Sequence, residues 1–157
     1  MKKFLVTACV LLLLYACSDS GKSDNSNANG SAEKTDTATP ATESNEKGIG
    51  KFTDVKLDPT VNQQMATKGQ NVYDVKCSAC HKLTEEKLVG PGWKGVTSRH
   101  KPEWIMNFAT NVEEMLNKDP KAQAQLEICL VRMPNQNLTD DDARNVLEFM
   151  RKNDGVK

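Results

Sequence analysis

The sequence predicts an all-α domain over residues 51–157, preceded by a long polar leader. Three observations carry this: helix-start signals followed by apolar residues at near-3.6 spacing, the lack of any sustained period-two alternation, and a sharp change of composition near residue 50. Asp58-Pro59 reads as an N-cap with proline at the first helical position, and Val61, Met65, Gly69, Val72, Tyr73 and Lys76 follow at helical spacing. Pro102 opens a second helix with Trp104, Ile105 and Phe108 on one side. Asp119-Pro120 opens a third, with Ala122, Leu126, Cys129 and Leu130 expected to face inward. Thr139 with Asp142 three later makes a capping box, and Ala143, Val146, Leu147 and Met150 then fall at i, i+3, i+4 and i+7. Short helices joined by substantial loops close poorly around nothing but well around a flat cofactor.

The chain of 157 residues has room for one domain and a tail. Hydrophobic residues make up 38% and the formal net charge is zero, so the basic excess expected of a nucleic-acid binder is missing. Aromatics are scarce at 5%, which leaves a core of this size short of large apolar groups.

Residues 1–16 read as a targeting segment. Lys2 and Lys3 form a positive start, and Phe4 to Ala16 is an apolar run of about 13 residues, too short to span a bilayer. The run ends Leu14-Tyr15-Ala16-Cys17, which resembles the bacterial lipobox; that resemblance implies removal of residues 1–16 and acylation of Cys17. An ordinary secretory peptide cleaved nearby is the alternative, and either one exports the chain. Cys9 has too little apolar sequence before it to be the acylated residue. Residues 17–50 are rich in Ser, Asn, Thr, Ala, Gly and charge, with Ile49 their only large apolar side chain, so they are expected to form a disordered tether. About 33 such residues have a root-mean-square reach of about 30 Å, and about 110 Å fully stretched.

The chemistry concentrates in Cys77-Ser78-Ala79-Cys80-His81. Two thiols separated by two residues can each add to one haem vinyl group, and the histidine directly after them lies under the iron as its proximal ligand. A thioredoxin-like redox pair lacks its strand pattern. Structural zinc would need two further ligands, with only His100 and Cys129 spare at unsuitable spacing, and a disulfide across two residues is uncommon.

From about Asn62 to the end the chain resembles a class I c-type cytochrome, short helices wrapped around one covalent haem c. Gly69, Tyr73 and Cys77, spaced by four, are similar to that family's first helix, where a small residue lets the last helix cross closely and an aromatic packs beside it. Val89-Gly90-Pro91 is similar to the segment whose proline packs on the proximal histidine and whose carbonyl accepts its second N–H. That implies Pro91 as the residue orienting His81. Met133-Pro134 ahead of the capped last helix is similar to the family's sixth-ligand loop.

Met133 is the expected sixth ligand on residue grounds as well. Met65 and Met150 sit on apolar helix faces, and Met106 and Met115 have no special context. Met133 lies between helices beside a proline, in chain free to wrap over a haem face. His100, within Ser98-Arg99-His100-Lys101, reads as solvated surface, with bis-histidine ligation as the alternative. Cys129 reads as an inert buried thiol, against a third haem bond or an intermolecular disulfide. Trp93 and Trp104 line the haem or simply fill the core, and Lys76, Lys82, Lys87, Lys94 and Lys101 make either a steering rim or an ordinary solvated surface.

The expectation is therefore a non-enzymatic single-electron carrier with His81/Met133 ligation. It would be held in the periplasm by a lipid anchor in a bacterial membrane, and would pass electrons from a membrane donor complex to a terminal oxidase or periplasmic reductase. The competing reading is a haem-based gas sensor or haem enzyme with an open sixth position.

Overall fold

The computed structural model describes residues 46–157. Six helices carry them: α1 (Gln63–Lys76), α2 (Val96–Arg99), α3 (Pro102–Thr110), α4 (Val112–Lys118), α5 (Pro120–Cys129) and α6 (Asp140–Asn153). No strand forms among the described residues, where extended pairing is limited to an isolated bridge between His81 and Lys87. The all-α expectation holds.

Helix α1 begins at Gln63 and not at Pro59. The Asn62 side chain caps it, accepting from the Met65 N–H at 3.0 Å. Asp58 is engaged elsewhere, its carbonyl taking the Arg151 guanidinium at 2.5 Å, so residues 58–61 run as connecting chain and Val61 is buried ahead of the helix. The predicted capping box does start α6: Thr139 Oγ1 accepts from the Asp142 N–H at 3.1 Å, and the Asp142 carboxylate accepts from the Thr139 N–H at 3.2 Å. Asp140, Asp141 and Asp142 in its first turn complement the helix dipole.

α1 and α6 form the spine of the fold. A Cβ on Gly69 would stand 2.0 Å from the Asn145 carbonyl oxygen, so the two helices meet backbone to backbone there. Tyr73 packs on Phe149 beside the crossing, with ring centroids 5.4 Å apart. Ala66 on α1 and Ala143, Val146, Leu147 and Met150 on α6 are buried. The core continues through Trp104, Ile105 and Met106 of α3 and Val112, Met115 and Leu116 of α4.

Two further expectations change, and one helix had no sequence signal. Leu130, expected to face inward, is the left-handed C-cap of α5 (φ 61°) and 84% exposed, because the helix ends at Cys129 and the next position leaves its face. The helix without a signal is α4, whose apolar residues, 112, 115 and 116, make little more than one turn with no proline ahead of them. The packed body also begins before residue 51. Gly48 is buried, Ile49 packs against the core, and the Asn107 amide donates to the Lys47 carbonyl at 2.9 Å. Residues 1–16, Cys17 and the tether as far as residue 45 lie outside the described residues. Among the described residues no helix is long and apolar enough to cross a membrane.

Candidate cofactor site

The Cys77–His81 motif continues from the end of α1 as a tight turn. The Cys80 and His81 N–H groups both donate to the Cys77 carbonyl, at 3.0 and 2.9 Å, and the Tyr73 hydroxyl donates to the His81 carbonyl at 2.7 Å. Cys77 and Cys80 are not bonded to one another. Before haem is attached, burial pushes the Cys77 thiol up to about 11, with Lys76 opposing. No group of three or more His, Cys, Asp or Glu among the described residues could hold a metal ion, which removes the support for structural zinc.

The segment after the motif folds back over the histidine. Val89 and Gly90 donate their N–H groups to the Cys80 carbonyl at 3.2 and 2.9 Å. Gly90 has to be glycine, since a Cβ there would stand 2.3 Å from His81 Cε1. His81 Nδ1 then lies 2.9 Å from the Pro91 carbonyl oxygen. A carbonyl can only accept, so Nδ1 carries the proton and Nε2 keeps its lone pair for a metal. Burial lowers the His81 pKa and the Pro91 bond opposes that shift, leaving a neutral imidazole at neutral pH.

His81 opens onto a cavity of about 340 Å³, whose apolar lining includes Pro91, Trp93, Trp104, Ile105, Val146 and Met150. A smaller lobe of about 70 Å³ runs between Val89, Leu116, Leu126 and Pro134. His81, Pro91, Phe108, Gln125, Cys129 and Met133 line both. This slot suits a flat apolar cofactor in size and lining. Cys77 and Cys80 border it, and it carries a nitrogen donor in His81 and a thioether sulfur in Met133. The residues present fit a haem.

Several residues differ from their sequence reading. His100 is no solvated surface residue: it lines the cavity and stacks on Trp104, with centroids 3.8 Å apart and planes 11° apart. Gln125 Nε2 donates to its Nε2 at 3.0 Å, which puts the imidazole proton on Nδ1, a buried atom with no hydrogen-bond partner. Burial first, then Arg99 and Lys121, push the His100 pKa down to about 4 against the pull of Asp119. Trp104 lines the cavity and also donates its indole N–H to Asp119 Oδ1 at 3.1 Å. Cys129 is half-buried on the cavity wall and unbridged. Of the five lysines, Lys82 pairs with Glu86 at 2.8 Å and Lys101 with Glu46 at 3.9 Å. Lys76, Lys87 and Lys94 donate to neutral carbonyls. The lining roles of His100 and Gln125 had no sequence signal, because the C-terminal cap of α2 and the middle of α5 meet from 25 residues apart.

A helical shell around an apolar slot, with C-x-x-C-H on its border, defines a haem-binding domain. The chain belongs to the cytochrome c family, whose model, described as Cytochrome c, matches residues 66–154. Among solved structures it is similar to a cytochrome c from Rhodothermus marinus, at 28% identity and a TM-score of 0.66 over 69% of this chain and 93% of that one. An engineered cytochrome c from Rhodothermus marinus bound to a carbene intermediate matches at 28% identity and a TM-score of 0.63, over 69% and 94% of the two chains. No curated protein matches. As a cytochrome c, the chain carries covalently bound haem c and transfers electrons through it to and from redox proteins.

Proposed function

We propose that this chain is a six-coordinate single-electron carrier, attached through Cys77 and Cys80 and ligated by His81 and Met133. We further propose that it works outside the cytoplasm and is tethered to a membrane through Cys17. The observation that carries the site assignment is that His81 and Met133 line both lobes of one slot, while His81 Nδ1 is committed to the Pro91 carbonyl. Bound haem supplies a reversible ferrous–ferric couple. His81, fixed by Pro91 and by the edge of Gly90, offers one nitrogen in one orientation. Met133 comes from the loop between α5 and α6, which the Lys76 ammonium pins to α1 through the Gln136 carbonyl at 3.0 Å. A thioether favours the reduced metal, which places the couple above that of a bis-histidine site. Two protein ligands leave no position for substrate, so the chain carries electrons and catalyses no reaction of its own. Its donor is a membrane complex and its acceptor a terminal oxidase or periplasmic reductase.

Spectra of both oxidation states test this. The ferric protein should show the sulfur-to-iron charge-transfer band, Met133→Ala should lose it, and the reduced protein should change little under carbon monoxide. A Met133→Ala variant that keeps the band moves the ligand elsewhere, with Met150, which also lines the cavity, the next to examine. Prompt carbon monoxide binding by the unaltered protein would overturn the carrier reading in favour of a sensor or enzyme.

A further inference from the structure

Residues 47–62 precede the segment that the family model matches, yet they engage most of the buried polar side chains. Among the described residues, Glu103, Asn107, Asp119, Glu148 and Arg151 are buried. Four of these five bond the backbone of this strap. Asn107 accepts from the Phe52 N–H at 3.0 Å and donates to the Lys47 and Phe52 carbonyls, both at 2.9 Å. Glu103 accepts from the Val55 N–H at 3.0 Å, Arg151 donates to the Asp58 carbonyl at 2.5 Å, and Glu148 accepts from the Asn62 N–H at 3.2 Å. A buried polar group left unpaired is strongly destabilising, so α3 and α6 are committed to this strap.

The fifth buried group points to what the strap does. Asp119 accepts from the Trp104 indole N–H, and His100 stacks on that indole. The strap takes a third side. A Cβ on Gly48 would stand 2.8 Å from Met115 Sδ and Cε and 3.0 Å from Trp104 Cδ1, at a backbone φ of +70° that side chains disfavour. Met115 is fully buried, and its sulfur accepts from the Ile49 N–H at 3.0 Å. Trp104 in turn lines the cavity.

We propose that the strap is a positioning device for the haem: Gly48 and Asn107 hold Trp104 against the cavity and keep water from its rear, raising the reduction potential. The oxidised site carries one more positive charge than the reduced one, and water near it favours the oxidised form. A dry, fixed wall favours the reduced form. The inference rests on haem occupying the cavity beside Trp104.

The test compares the two ends of the strap in full-length, haem-loaded protein. Gly48→Ala disturbs the Trp104 end. Arg144→Gln disturbs the far end, cutting the Glu148 ion pair (2.5 Å) and a bond to the Lys56 carbonyl (3.4 Å). Asn107→Leu, which removes three strap bonds without adding charge, serves as a second near-end variant should Gly48→Ala fail to fold. Amide hydrogen exchange along the strap and the midpoint potential are measured for each. Both ends should exchange faster when disturbed, and only the near-end variants should lower the potential. Faster exchange at an unchanged potential in the near-end variants overturns the proposal, as does an equal shift from Arg144→Gln. Unaltered protein that shows no haem spectrum sinks the functional reading first, and this one with it.

Discussion

At the scale of single residues, His100 shows what a charged stretch of sequence conceals. Between Arg99 and Lys101 it reads as surface, yet its ring lies flat on Trp104 with its Nδ1–H buried and unpartnered. Burial disfavours the charged ring, and protonation would also add charge beside Arg99 and Lys121, so its pKa falls to about 4 from an ordinary 6.5. The sign of the linked stability follows. Between those two values the unfolded chain binds a proton that the folded chain refuses, so this residue's contribution is complete above pH 6.5 and declines as pH falls to about 4, levelling below that. For a group only about half buried, solvent screening reduces the loss to about 1–2 kcal/mol. Thermal unfolding of His100→Gln against the unaltered protein should show a shallower dependence on pH across that window. Parallel curves would mean that the histidine is solvated after all. His81 was legible by contrast, because the Cys-x-x-Cys-His spacing is local. Its Pro91 partner lies only ten residues on and emerged from the family resemblance.

At the scale of elements, legibility followed the strength of the boundary signal. Pro102, Asp119-Pro120 and the Thr139–Asp142 box each mark a helix start within one residue, because proline at N1 and side-chain caps act on the nearest turn. Asp58-Pro59 carries the same local signal and starts no helix, since Arg151, more than 90 residues away, holds the Asp58 carbonyl. A tertiary bond overrode a local preference, and no window of sequence contains it. Gly69 is the converse case, where a single small residue announces a helix crossing. With Asn145 backbone where its Cβ would go, Gly69→Ala must push α1 and α6 apart. The overpacking should cost about 1–3 kcal/mol despite alanine's better helix propensity, read as a lowered denaturation midpoint. An alanine variant as stable as the unaltered protein would show that the two backbones can separate without loss.

At the scale of the whole molecule, the strap moves the start of the packed body towards the amino terminus. Asn107 holds the chain at Lys47, and the Val61 N–H donates to the Lys157 carbonyl at 3.1 Å, so the packed body includes several residues first assigned to the linker. If Cys17 carries the lipid, about 30 residues separate it from the first clamped position, Lys47. A lipid on Cys17 would raise the effective concentration of the domain for a membrane donor without new contacts. The anchor makes a separable prediction. Expressed in a bacterium that matures c-type haem, the unaltered protein should partition into detergent with acylated Cys17 as its first residue. Cys17→Ser should appear in the aqueous phase with an unchanged haem spectrum, because residue 17 lies 30 positions before the first strap bond. Its reduction by a soluble mediator should keep pace with that of the unaltered protein, while reduction by membranes slows. Unaltered protein recovered from the aqueous phase with a free amino terminus near residue 17 would leave export intact and remove the tether from the mechanism.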